Sequence, residues 1–153
     1  MGEPDVILAA DEGRGGEVAL KICEKVYGTE HPNTARVLNN LAGVLRDLGE
    51  IEQADRMFAR AIAIGEKAMG AGHLLVQRFQ SGYALLLLRT GREAEALRVA
   101  DTALTVHEAS NGPDHVWTKD SARRTADALE ALGRADEAAA LRARYGLGDG
   151  SGP

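Results

Sequence analysis

Apolar residues recur at intervals of three and four along most of the chain. This spacing places them on one face of an α-helix. Gly49 follows the clearest run, and glycine is typical just beyond a helix C-terminus because it tolerates left-handed backbone conformations. The pattern therefore predicts a helix that ends near Gly49. The apolar residues of this run are Val37, Leu38, Leu41, Ala42, Leu45 and Leu48.

A second run of the same kind follows at once and ends near Gly70, and the order of helix, glycine, helix and glycine then repeats. Short connections between consecutive helices predict antiparallel neighbours. A single helix at about 17–27 is expected before the first pair, which gives seven helices in total. The later helices are expected at 74–90, 93–110, 116–132 and 135–145.

Equivalent residues lie 42 residues apart. Three Gly-x-x-His motifs begin at Gly28, Gly70 and Gly112, and glycines and alanines recur in the same phase later in each repeat. A period of this size indicates stacked supersecondary units. The repeated alanines predict where helices cross, because a small side chain lets two backbones approach closely. The repeated residues are His31, His73 and His115, then Gly49, Gly91 and Gly133, with Ala42, Ala84 and Ala126, and Ala54, Ala96 and Ala138.

The first full repeat resembles the tetratricopeptide repeat in its segments Leu38-Asn39-Asn40-Leu41-Ala42 and Leu48-Gly49, and in the later Ala54 and Phe58. The 42-residue spacing is similar to the kinesin-light-chain type of this repeat. The resemblance covers residues 17–145. It implies an all-α fold, a right-handed superhelical solenoid of antiparallel helix pairs.

The resemblance also implies a function, because the concave surface of such arrays is made by the first helix of each pair and holds a peptide segment or helix of another protein. Arginines are frequent among the residues carried over to this surface, and Leu85 and Leu88 are expected to be exposed beside them. Asn39 is the best single candidate, because its amide can donate to and accept from an extended peptide backbone. The predicted partner-binding residues are Arg36, Asn39, Arg46, Arg78, Ser81, Leu85, Leu88, Arg89 and Arg123.

The sequence divides into three parts. Residues 1–16 are expected to form a cap or a linker, with Gly13-Arg14-Gly15-Gly16 as its flexible part. The repeat domain covers 17–145, as a half repeat at 17–27 and full repeats at 33–69, 74–110 and 116–145, and a flexible tail covers 146–153. Because the half repeat has no partner helix, it leaves apolar surface around Ile22 and Val26. Either the N-terminal segment folds back over this surface as a cap, or another chain covers it, so self-association or excision from a longer protein is expected. The alternative function is therefore a sensor or oligomerisation domain of a bacterial signalling or transcriptional regulator.

Composition argues against some classes of partner and favours one cellular compartment. The chain has 153 residues, a net charge of −5 and 4% aromatic residues, so a nucleic-acid or anionic-membrane surface is not expected. A single cysteine, Cys23, and the absence of a recognisable signal peptide favour the reducing cytoplasm. Fourteen of the 18 basic residues are arginine, which together with the high alanine content suggests a bacterial sequence.

Each residue that could suggest catalysis or metal binding also has a structural explanation. The three repeated histidines occupy successive repeats and cannot converge on one metal ion, so each is expected to order its turn by a hydrogen bond. Cys23 is expected to be buried, and Trp117, the only tryptophan, to secure the start of its helix. Acidic residues at the start of the second helices favour the helix dipole. No enzyme activity, cofactor or metal is predicted.

Overall fold

The computed structural model describes residues 8–148, which form seven α-helices and no strand. The predicted all-α fold class is confirmed. The helices are α1 (Leu8–Tyr27), α2 (Pro32–Asp47), α3 (Ile51–Met69), α4 (Leu74–Arg89), α5 (Glu93–Asn111), α6 (Val116–Ala131) and α7 (Ala135–Tyr145).

The chain forms two compact units, Met1–Ala71 and Gly72–Pro153. In the N-terminal unit, α2 packs against both α1 and α3. In the C-terminal unit, α4 packs against α5 and α6, α5 packs against α6, and α6 packs against α7.

Each first helix begins at one of the repeated histidines. The Nδ1 atom of His31 accepts a hydrogen bond of 3.0 Å from the Asn33 backbone N–H, and His73 and His115 cap α4 and α6 in the same way. These bonds satisfy backbone donors that the first turn of a helix leaves unpaired. The predicted role of the histidines in ordering the turns is confirmed.

Glycine ends the helices as the sequence predicted. Gly49 has φ +84, and its left-handed conformation lets the Glu50 backbone N–H donate to the Leu45 carbonyl at 2.8 Å. This is the bond by which a helix C-terminus satisfies its last carbonyl groups before the chain reverses.

The six repeated alanines lie where helix surfaces meet. All are fully buried, at 0% relative exposure. In the C-terminal unit, Ala84 and Ala96 belong to one cluster with Leu87, Val99 and Ala100, and Ala126 packs with Leu129 and Ala138 in another. The predicted crossing points are therefore the centre of the packing.

The N-terminal helix differs from the prediction. Helix α1 begins at Leu8 and not near residue 17, so Gly13–Gly16 are helical and are not a flexible linker. Packing explains one of these glycines: a Cβ atom added to Gly16 would lie 2.5 Å from Leu41 Cδ1. Gly16 therefore allows α1 to approach α2 closely. Residues 1–7, the rest of the predicted cap or linker, lie outside the described residues.

Helix α7 is fixed at its C-terminus by Tyr145, which takes the place that Ala61 and Ala103 hold in the earlier repeats. Its ring packs in a cluster with Leu104 and Ala122, and its hydroxyl donates a hydrogen bond to Glu108. Burial and the bond to Glu108 raise the pKa of Tyr145 to about 12.

The predicted flexible tail is partly packed. Leu147 is half-buried against the cluster around Tyr145, and residues 149–153 lie outside the described residues. Among residues 8–148, no helix combines the length and the apolar character that a membrane crossing requires.

The two neighbouring glycines of α1 provide a matched test of its packing. Gly15→Ala meets nothing within 4 Å, so it should stabilise the protein by about 0.5–1 kcal/mol through helix propensity. Gly16→Ala should instead destabilise it by about 1–3 kcal/mol, because the new methyl group overlaps the buried Leu41. Urea unfolding followed by circular dichroism measures both. Equal effects of the two substitutions would contradict this packing.

Candidate functional site

Three arginines of the C-terminal unit surround one carboxylate on α6. Arg78 Nη1 lies 2.9 Å from Asp120 Oδ2, and Arg123 Nη1 lies 3.1 Å from Asp120 Oδ1. Arg124 Nη1 lies 3.9 Å from the same Oδ1 atom. Three guanidinium groups against one carboxylate give this cluster a formal charge of +2. We call Arg78, Asp120, Arg123 and Arg124 the arginine cluster.

Trp117 lies next to the arginine cluster. The Arg78 guanidinium is 5.3 Å from the centre of the indole ring, which is a cation–π contact. The ring also packs edge-on against the capping His115 and contacts His107, with centroid distances of 5.7 Å in both cases. Trp117 thus packs at the start of α6, as expected, and it also joins the arginine cluster to the interior of the unit.

Beneath Trp117 is a buried polar network that sequence reasoning did not predict. His107 is fully buried, its Nδ1 lies 2.8 Å from Ser121 Oγ, and this hydroxyl lies 3.2 Å from Ser81 Oγ. Ser81 was predicted to contact a partner and this is wrong, because only 1% of it is exposed. Its small hydroxyl side chain faces the adjacent α6 and so completes this network.

The environment of His107 disfavours its protonated form. Burial is the main cause that lowers the pKa of His107 below its ordinary 6.5, and the charge of Arg78 on α4 and of His115 before α6 lowers it further. The backbone near Leu74 and Trp117 acts on the pKa in the opposite direction but does not outweigh these causes. His107 is therefore neutral in the folded protein at pH 7.

The predicted site residues of the N-terminal unit differ in how far they are exposed. Arg36 is exposed on α2. Asn39 is half-buried, and its Oδ1 is enclosed without a hydrogen-bond partner among the described residues, so the expected acceptor for a partner's backbone is not presented at the surface. Arg46 is almost covered: its guanidinium lies 5.8 Å from the centre of the Phe58 ring and 3.1 Å from Asp47.

The two leucines expected to be exposed are half-buried instead. Leu88 packs against the cluster that contains Ala96 and Ala100, and Leu85 is also only partly accessible. Arg89, one residue further along α4, is exposed as predicted.

The residues equivalent to Leu85 and Leu88 in the other repeats show why these two leucines pack inward. In the first repeat, the equivalent of Leu85 is Gly43, and the large Phe58 is covered by the guanidinium of Arg46. In the third repeat the place of Phe58 is taken by Arg142, whose guanidinium is buried and pairs with two carboxylates of α6. The distances are 2.6 Å to Asp127 and 2.7 Å to Glu130. The residues at these positions therefore compensate one another within a repeat.

A comparison of the three repeats in sequence could have indicated the two buried polar residues that were missed, His107 and Arg142. His107 replaces Cys23 and Gly65 of the earlier second helices, and Cys23 and Gly65 are both buried. Arg142 replaces an aromatic and a small residue in the same way. A polar residue at a position that is apolar or small in the other repeats predicts a buried partner for it.

Cys23 is buried, as predicted, and lies 3.8 Å from the Thr34 hydroxyl. Within residues 8–148, no group of three histidine, cysteine or acidic side chains is placed to hold a metal ion.

A family profile matches most of the chain. The tetratricopeptide repeat profile matches residues 17–67 and 75–144. A clustered mitochondria protein homolog of Meyerozyma guilliermondii is 30% identical over 111 residues, which cover 72% of this chain and 9% of that protein. The chain thus spans only a small part of this relative.

Two solved structures share the fold at 20% sequence identity. One is a Podosopora anserina protein, described as a kinesin light chain with nearly identical TPR-like repeats, which has a TM-score of 0.78 over 90% of this chain and 65% of its own. The other is BtubC (BKLC) from P. vanneervenii, with a TM-score of 0.78 over 90% of this chain and 55% of its own. The kinesin-light-chain-like repeat type predicted from the 42-residue period is confirmed.

Acid should destabilise the protein through His107. Below pH 6.5 the unfolded chain binds a proton at this histidine that the folded chain does not, because its folded-state pKa is lowered. The free energy of unfolding should therefore fall as the pH falls from 7 towards the folded-state pKa.

His107→Gln removes this titration, so its stability should decline less between pH 7 and pH 5 than that of the wild type. Between pH 7 and pH 8 the two proteins should show the same slope, which serves as an internal control. Denaturant unfolding at each pH gives both slopes, and identical slopes below pH 7 would show that His107 is not the group responsible.

Proposed function

Because the chain belongs to the tetratricopeptide repeat family, we propose that it binds an acidic segment of another protein at the arginine cluster of its C-terminal unit. Repeats of this family generally mediate protein–protein interaction, and tetratricopeptide scaffolds are typically not enzymes. The single observation that carries the proposal is the net positive cluster formed by Arg78, Arg123 and Arg124 around Asp120.

Charge supports an acidic partner. The protein has a net charge of −5, so a local excess of two positive charges departs from the rest of the molecule. Asp120 holds the arginines in place by pairing with them through both of its oxygens. The cluster is therefore organised before a partner arrives, which lowers the ordering cost of binding.

The arginines keep donors for a ligand while they pair with Asp120. A guanidinium carries five N–H donors in a planar fork that matches a carboxylate. Arg78 is about one-third exposed and Arg123 about half-exposed, and each directs one Nη atom at Asp120. A glutamate or aspartate side chain of a partner could then bind in bidentate fashion.

The other predicted site residues contribute in different ways to this proposal. Arg89 extends the positive charge along α4, while Leu85 and Leu88 offer only partly accessible apolar surface. In the N-terminal unit, Arg36 is the most accessible of the predicted residues, and we propose it as a second, separate contact for an acidic segment.

A second candidate function has a separate observation in its favour. Helix α1 exposes the apolar side chains of Val18, Ile22 and Val26. A cytoplasmic bacterial signalling or transcriptional regulator could use this end of the repeats for assembly, including self-association.

Trp117 provides an intrinsic probe for the first proposal, because it is the only tryptophan and contacts Arg78. The probe ligand is a capped hexapeptide rich in glutamate, and its control has glutamine in place of every glutamate. The acidic peptide should change the Trp117 fluorescence in a saturable manner, and the glutamine peptide should not. Raising the salt concentration should weaken binding, because the attraction is between charges.

Matched variants locate the binding. Arg78→Gln combined with Arg123→Gln should weaken binding by about tenfold or more, since two charge-assisted contacts are lost. Arg98→Gln is the control, because Arg98 is a highly exposed arginine of α5 outside the arginine cluster. If all three proteins bind the acidic peptide equally, or if the wild type does not bind it, the proposed function is wrong.

A further inference from the structure

The positive charge of the arginine cluster exceeds what one carboxylate of a partner can neutralise. Three guanidinium groups against Asp120 leave a formal charge of +2. A glutamate or aspartate side chain carries one negative charge, so a single contact of this kind leaves the cluster positive. A phosphomonoester brings about −1.5 to −2 charges at pH 7 in one group. The charge of the cluster therefore matches a phosphate more closely than a carboxylate.

The helices that pack against α6 do not supply acidic residues that cancel this charge. The charged residues of α4 are Arg78 and Arg89, and both are basic. On α5, the acidic residue nearest in sequence to α6 is Glu108, which accepts a hydrogen bond from Tyr145 of α7. Asp114 is exposed in the turn before α6, outside the arginine cluster.

The other acidic residues of α6 already have a basic partner. They are Asp127 and Glu130, which lie 2.6 and 2.7 Å from the guanidinium of the buried Arg142. The remaining charged residue of α6 outside the cluster, Lys119, is basic. The excess of positive charge around Asp120 therefore persists when the neighbouring charged residues are included.

Asp120 shows how one anionic group bridges two arginines. Its two oxygens contact Arg78 and Arg123 separately, at 2.9 and 3.1 Å, so both guanidinium groups lie within reach of one small anion. Each guanidinium has five N–H donors and directs one Nη atom at Asp120, which leaves donors for a ligand. A phosphate offers three acceptor oxygens to these donors, whereas a carboxylate offers two.

The exposure of the cluster indicates how a phosphate reaches it. The side chain of Arg123 is 49% exposed, that of Arg78 is 32% exposed and that of Asp120 is 19% exposed. Ionic contacts at such an open surface are weakened by water, so a free phosphate needs the added contacts of the chain that carries it. An anionic membrane is a poor carrier, because the net charge of −5 opposes its approach.

We propose that the partner segment bound at the arginine cluster is phosphorylated, and that its phosphomonoester contacts Arg78 and Arg123. Arg124 contributes positive charge from its position beside Asp120. This inference rests on the proposed function, because it names the anionic group of the acidic segment. Phosphorylation of the partner then controls binding, since it places the charge that the cluster requires on a side chain that is otherwise neutral.

Five capped hexapeptides test the proposal with the full chain, and Trp117 fluorescence measures their binding. They share a neutral sequence and differ at the centre, which holds serine, glutamate, two adjacent glutamates, O-sulfoserine or phosphoserine. Phosphoserine should bind at least about tenfold more tightly than glutamate, and also more tightly than the glutamate pair, which divides the same charge between two side chains. Sulfoserine has the tetrahedral shape but a single charge, so it should bind like glutamate.

The peptides distinguish failure of this inference from failure of the proposed function. If phosphoserine binds no more tightly than the glutamate pair or than sulfoserine, the inference is wrong. The proposed function then still stands, provided that the glutamate-rich peptide binds. If neither the glutamate-rich peptide nor the phosphoserine peptide binds, both are wrong.

Matched variants place the phosphate at the arginine cluster. Arg123→Gln should reduce the advantage of phosphoserine over glutamate to about threefold or less, because one of the two phosphate contacts is lost. Arg98→Gln should keep the full advantage, because Arg98 is a highly exposed arginine of α5 outside the cluster. An undiminished advantage in Arg123→Gln would contradict the proposal, and circular dichroism verifies that both variants keep their helices.

Competition identifies the carrier of the phosphate. Inorganic phosphate should displace the phosphoserine peptide at least about a hundredfold more weakly than an unlabelled copy of the peptide does, because it lacks the contacts of the chain. Equal competition would assign the cluster to free phosphate and overturn the proposal. Vesicles that contain a phosphoinositide should not bind the protein, and vesicle binding without binding of the phosphoserine peptide would overturn it as well.

Discussion

Close approach of helix backbones at alanine is the constraint on which both units depend. The six alanines repeated at 42-residue intervals are all fully buried, and Gly16 allows the same closeness between α1 and α2. A chain with so few aromatic residues cannot fill wide gaps between helices, so its stability depends on many close, small contacts. The capping histidines and the left-handed glycines keep each helix in the register that brings these alanines together.

The buried alanines are the same in each repeat, but the residues that pack around them differ. Phe58 is covered by Arg46, Leu88 packs against the cluster that contains Ala100, and the buried Arg142 is neutralised by two carboxylates. Such compensation leaves little freedom at these positions, so they are poor places for partner recognition. Recognition is better suited to positions where a repeat departs from the others without an internal reason. The arginine cluster is a surface of this kind.

Periodicity was sufficient to predict the number of helices, the capping histidines and the buried alanines, because these features follow from local backbone geometry and recur in phase. The start of α1 was not predicted, because Gly13, Gly15 and Gly16 have weak helix propensity and the close packing of Gly16 on Leu41 joins residues that are distant in sequence. Ser81 was misplaced because its burial depends on His107 and Ser121, which are 26 and 40 residues away in the sequence. The residue pattern on one face of a helix does not predict side-chain partners that are distant in sequence.

The most direct measurement of the central claim compares two alanines of α3. Ala54 is fully buried at a crossing, whereas Ala59, five residues later on the same helix, is exposed. Urea unfolding of Ala54→Leu should show a loss of about 1–3 kcal/mol in the free energy of unfolding, because the larger side chain separates the helices. Ala59→Leu should change it by less than about 0.5 kcal/mol. Equal changes for the two variants would contradict the account, since the crossing would then not require a small residue.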